Sequence, residues 1–101
     1  MSRQVSETAG VFKFRLYVAD HAQNSADALN NLTALCDSHL PDRFQIEVVD
    51  VLREPMRALT DGIFMTPTLI KLAPGPQRKI VGTLSQVHTV LLVLGLATTS
   101  T

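Results

Sequence analysis

A chain of 101 residues with 46% hydrophobic side chains holds material for one core, because a chain this short leaves more than a quarter of its unfolded surface exposed and cannot support two. Lysine plus arginine and aspartate plus glutamate are matched at nine each, which excludes the basic footprint of a nucleic-acid binder and the polybasic arm of a membrane-surface protein. A single cysteine, Cys36, excludes an internal disulfide framework.

The segment Met1-Ser2-Arg3-Gln4-Val5-Ser6-Glu7 lacks an apolar signal region, and the longest apolar block, Val90 to Ala97, is far short of the roughly 20 residues that span a membrane. A cytoplasmic chain is expected, with neither membrane nor nucleic acid as partner. Residues 1 to 10 are polar and aperiodic and are expected to form a loose arm, residues 11 to 97 a single domain, and residues 98 to 101 a frayed tail.

From Val11 the apolar residues Phe12, Phe14, Leu16 and Val18 alternate with Lys13, Arg15 and Tyr17, which predicts a first strand over Val11 to Ala19. After the polar turn Asp20 to Gln23, Asn24 is the expected N-cap of a helix, with Asp27 in its first turn. Ala28, Leu29, Leu32, Leu35, Cys36 and His39 share its apolar stripe, and Pro41 closes it. Phe44 to Val51 reads as a second strand, apolar towards its end, for which a buried parallel position is expected. Glu54 to Leu59 predicts a short helix with Pro55 in its first turn. Thr68 to Leu72 is a third strand, Pro74-Gly75-Pro76 a turn, and Arg78 to Val81 a fourth strand in a hairpin. Val87, Val90, Leu91 and Leu94 fit a helical stripe after a possible Ser85 cap. The run Val90-Leu91-Leu92-Val93-Leu94 is also one that a buried strand would accept; the stripe predicts a helix.

Chemistry-bearing residues are sparse. Cys36 sits near the end of the first helix, where the electrostatics disfavour a thiolate, and reads as a small core residue. His39, three residues on, makes at most a two-ligand pair with it, and His21 and His88 add no ligand spacing. Asp50 and Asp61 read as turn and capping residues, and Gly75, Gly82 and Gly95 make no phosphate-cradling loop. No catalytic residue, cofactor site or metal site emerges. Lys71, Arg78 and Lys79 are expected to gather at a sheet edge, either as a docking patch or as charges that block edge-to-edge aggregation. Pro67 is either a strand-entry proline or a cis proline whose backbone receives an extended ligand.

The step Met65-Thr66-Pro67-Thr68-Leu69-Ile70 resembles the entry to the third strand of thioredoxin-like domains, which makes the expected fold a single small α/β domain of order βαβαββα. Leu16-Tyr17-Val18-Ala19, Asn24-Ser25, Val49-Asp50-Val51-Leu52, Pro55, Thr66-Pro67-Thr68-Leu69, Pro74 with Pro76, Arg78-Lys79-Ile80-Val81-Gly82 and Leu84-Ser85 together resemble the circadian clock protein KaiB family over residues 11 to 96.

That resemblance implies a non-enzymatic regulator that binds a KaiC-type hexameric ATPase, with a clock-output histidine kinase as a competitor for the site. It also implies a second, tetrameric ground-state fold, βαββααβ, reached by reassigning the second half of the chain. Lys71, Arg78 and Lys79 would dock the ATPase, and Pro67, Pro74, Pro76, Gly82 and Thr83 would lie at or near the switch. The chain departs from the family pattern where basic residues are usual, carrying Asp27, Glu47 and Gly62, and where aspartate is usual, carrying Thr83. The competing expectations are a redox-inactive binder of glutathione or a peptide at the Pro67 backbone, and a homotetramer locked outside any clock.

Overall fold

The computed structural model describes residues 10–96; the arm expected over 1 to 10, Gly10 apart, and the tail expected over 98 to 101 lie outside the described residues. Seven elements follow in the order expected: β1 (Phe12–Val18), α1 (Gln23–His39), β2 (Phe44–Asp50), α2 (Pro55–Thr60), β3 (Thr68–Ala73), β4 (Arg78–Val81) and α3 (Val87–Leu94). The strands form one mixed sheet in the order β2-β1-β3-β4. β2 runs parallel to β1, from Phe12 opposite Phe44 to Val18 opposite Asp50. β3 is antiparallel to β1, with Leu16 opposite Leu69, and β4 is antiparallel to β3, with Arg78 opposite Lys71.

Alternation along β1 divides the interior in two, because successive side chains point to opposite faces. Phe14, Leu16 and Val18 join Leu69, the α1 residues Ala28, Leu32, Leu35 and Cys36, and Val90, Leu91 and Leu94 of α3 in the main core. On the other face Tyr17 joins Val49, Ile70 and Ala58 of α2 in a smaller cluster. Each fully buried leucine of the main core contributes about 1.5–3 kcal/mol of transfer free energy, which explains why an uncapped α1 holds its position.

Four details correct the expectations. β2 is an edge strand rather than a buried one, and Val48 near its end is 46% exposed; an apolar run alone does not say how many neighbours a strand has. α1 begins at Gln23 with Ala22 at its N-cap and no side-chain cap, so Asn24 already lies inside the helix. The neighbouring serine is the one engaged, with Ser25 Oγ accepting the Ala19 N–H at 3.1 Å and tying β1 to the first turn. In α3 the cap position is Gln86, not Ser85, and the Ser85 backbone carbonyl accepts the Val87 N–H at 3.0 Å. His39 is exposed while Cys36 is fully buried, so the two share no environment.

Candidate partner-docking face

α2 covers less of its side of the sheet than α1 and α3 cover of theirs. It is one and a half turns long, because Pro55 at its start fixes the first turn and Gly62, at φ +69°, turns the chain away directly afterwards. Only Ala58 of this helix is buried. Met56 and Leu59, three apart and therefore on one helical face, are 69% and 68% exposed. Leu52 before the helix and Phe64 and Met65 after it are exposed as well, Phe64 to 91%. Val51, Ala58 and Ile63 line a shallow depression beside Phe64, Met65 and Thr66, with a volume of about 180 Å³. Exposed large apolar side chains gathered around one element are unusual on a surface with no partner.

The charged residues of this face are consumed by one another. Arg15 of β1 donates through Nε to Glu47 Oε1 at 2.8 Å and through Nη1 to Asp61 Oδ2 at 3.0 Å. Arg57 of α2 reaches Glu47 Oε2 at 2.8 Å and Glu54 Oε1 at 3.3 Å. The Tyr17 hydroxyl donates to Asp61 Oδ2 at 2.5 Å and lies 3.1 Å from the Arg57 carbonyl, and Lys79 Nζ donates to the Asp61 carbonyl at 2.5 Å. Tyr17, followed by Arg15, holds the Asp61 carboxyl below its usual range, and Arg15 with Arg57 does the same for Glu47. Burial, then the neighbouring Asp61, pushes the Tyr17 phenol up. Three cationic and three anionic side chains therefore balance around α2.

This network accounts for two of the departures noted above. Glu47 bridges one arginine on β1 and another on α2. Gly62 leaves room for Lys79, whose Nζ would lie 3.3 Å from a Cβ at position 62, so an ammonium group reaches this spot from β4 instead. Asp27 engages its own helix, accepting from Gln23 Nε2 at 2.9 Å.

The three basic residues expected to gather at the sheet edge do not. Period two places Arg78 and Lys79 on opposite faces of β4, and both are exposed. Lys71 is a correction: only 5% exposed, it lies beneath α3 and offers no charge to a partner in this conformation. Pro67 follows a cis peptide bond, as do Pro74 and Pro76; Pro67 is buried, and its carbonyl accepts the Gly82 N–H at 2.9 Å. Thr83 offers its carbonyl to Asn31 Nδ2 at 2.7 Å. Where a thiol oxidoreductase carries its nucleophile, at the start of α1, the chain reads Asp20-His21-Ala22-Gln23-Asn24. Burial, with Asp37 adding, pushes the Cys36 thiol up to about 12, the reverse of what a reactive thiolate needs. Among the described residues no three His, Cys, Asp or Glu side chains group to hold a metal, and no helix is long and apolar enough to cross a membrane.

Sheet order and helix placement define a thioredoxin-like domain. The N-terminal domain of Synechococcus elongatus SasA superposes with a TM-score of 0.72 at 18% identity, over 92% of this chain and 91% of that one. Fasciola hepatica thioredoxin gives 0.68 at 13% identity, over 95% and 90%. Within that class the KaiB domain family matches residues 15–96. The chain is 40% identical over 80 residues to the circadian clock protein KaiB3 of Synechocystis sp., covering 79% of this chain and 78% of that protein. It is 38% identical over 92 residues to the circadian clock oscillator protein KaiB of Acaryochloris marina, covering 91% and 88%. The chain belongs to the KaiB family.

Proposed function

We propose that this chain is a non-enzymatic adaptor that acts by docking, through the α2 face, on a KaiC-type hexameric ATPase in the cytoplasm and so modulates the ATPase's phosphorylation or signalling cycle. The observation that carries the reading is the apolar surface of Met56, Leu59, Phe64 and Met65, set on a KaiB-family domain around a charge network that is internally balanced. On β4, Lys79 lies on this face inside the balanced network, while Arg78 projects from the opposite face of this edge strand as an exposed cation at the rim of the contact; Lys71 takes no direct part. The fold shared with the SasA domain supports competition with a clock-output histidine kinase for the same site. Interconversion with an oligomeric ground state belongs to the same proposal, with Pro67, Pro74, Pro76, Gly82 and Thr83 in the half that rearranges.

The test is gel-filtration co-elution with each KaiC-type ATPase of the same organism after incubation with nucleotide for hours. Co-elution that is lost in Leu59→Glu and weakened in Arg78→Glu is expected. Elution alone beside every candidate would overturn the adaptor role, and co-elution unaffected by Leu59→Glu would overturn the face.

A further inference from the structure

Lys71 is the only charged side chain buried among the described residues, and the docking face makes no use of it. None of the ion pairs among the described residues involves it. Its Nζ donates instead to the backbone carbonyl of Leu94 at 3.3 Å and stands 5.7 Å from the centre of the Phe12 ring, within reach of a cation–π attraction.

That carbonyl belongs to the last residue of α3, a helix of 8 residues with no side-chain cap at its start. Helices this short are marginal on their own, and Val87, Val90 and Val93 favour extended backbone. At the other end, Gly95 adopts the left-handed conformation, its N–H bonds the Leu92 carbonyl at 3.2 Å, and the Leu96 N–H bonds the Leu91 carbonyl at 2.8 Å. This cap leaves the Leu94 carbonyl for a donor from outside the helix. A helix end gathers unpaired carbonyls and the negative pole of the dipole at one point; a strand over the same residues would spread its carbonyls along both edges. An ammonium group fixed at that point on β3 therefore discriminates between the two conformations that the sequence pattern of residues 87 to 94 admits.

We propose that Lys71 is a conformational selector: its buried charge receives the C-terminal end of α3 and so commits residues 87 to 94 to a helix packed on the sheet. The groups facing it are Arg78 across β4, Phe14 across β1, the Phe12 ring and the Leu94 carbonyl, none of them acidic. Burial, with Arg78 adding, pulls the Lys71 ammonium below its ordinary range. The charge is thus a cost to global stability that specificity offsets, a role documented for some buried polar groups. A lysine whose folded pKa lies below its unfolded value binds fewer protons when folded, so stability rises as pH passes upward between the two values. The neutral amine formed there holds the helix end less strongly.

Native-state hydrogen exchange on the full chain tests this, read as the protection of the Leu91 to Leu94 amides relative to those of Leu16 and Tyr17 in β1. In Lys71→Met, which keeps most of the unbranched side chain and removes its charge, the ratio is expected to fall by about ten-fold or more. An unchanged ratio would overturn the proposal. Should that variant fail to fold, the wild-type chain gives the same readout between about pH 7 and about pH 11, where the ammonium is lost. The ratio then falls if Lys71 selects the helix, and a constant ratio overturns it.

Discussion

The two faces of the sheet are built to opposite plans. Against α1 and α3 the interior is continuous and, Lys71 apart, apolar, and Leu16, Ala28, Leu32 and Cys36 have no exposure at all. Against α2 the buried cluster holds four residues, the polar groups of Arg15, Tyr17 and Asp61 enter the packing, and Met56, Leu59 and Phe64 point outward. The first face carries the fold's stability. The second is held by directional bonds that fix where α2 sits while adding modest net energy, since hydrogen bonds contribute about 0.5–1.5 kcal/mol each, somewhat more to a charged partner, and part-exposed ion pairs about 1 kcal/mol or less. A docking surface suits that second plan, because its position is defined and its apolar side chains are left uncovered.

The largest effect should come from breaking the first face. Leu32→Ala removes a fully buried side chain from the centre of α1 and is expected to cost about 2–5 kcal/mol, read as a lower denaturant midpoint with an unchanged slope. A smaller effect should follow on the second face from Tyr17→Phe, which deletes the hydroxyl that holds Asp61 and should cost about 1–2 kcal/mol. That variant also carries a pH signature. Asp61 has a folded pKa below its ordinary value, so its contribution is complete above the unfolded pKa, near ~4, and is lost as pH falls through the folded value. With the hydroxyl gone the two values approach each other, and a difference in stability between wild type and variant that shrinks in acid urea titrations is the expected result. Smallest should be Phe64→Ser, which changes a side chain with almost no packing; its folding free energy is expected to stay within about 0.5 kcal/mol of wild type. A larger loss would show that Phe64 supports the fold rather than a partner.

Periodicity made most of the architecture legible. Alternation over Phe12 to Val18 and the helical stripe from Ala28 to Cys36 depend on local spacing, and the elements they predict are present. Asp50 was legible as a turn residue: its Oδ1 accepts the Leu52 N–H at 2.8 Å. Asp61 stands at the C-cap of its helix as expected, but the role of its carboxylate was not legible, since its partners Tyr17 and Arg15 lie 44 and 46 residues away in sequence and only sheet registration brings them together. Lys71 was misplaced for a related reason. Alternation puts it on the same face as Leu69, but sequence does not show that α3 returns to cover that face. The apolar residues around α2 were visible individually, and the signal that marks them as a surface is the shortness of a helix closed by Pro55 and Gly62, too short to hide both Met56 and Leu59.

The balanced charges around α2 have a kinetic consequence. A surface whose cations and anions neutralise one another at close range projects little field beyond the Debye length, ~8 Å at physiological ionic strength. An approaching protein is then not steered towards it, and encounter proceeds at the rate of undirected docking, on the order of 10⁵–10⁶ per molar per second. Selectivity at such a surface resides in how long a complex lasts rather than in how quickly it forms, which favours a partner that presents many copies of its site at once over a single freely diffusing one.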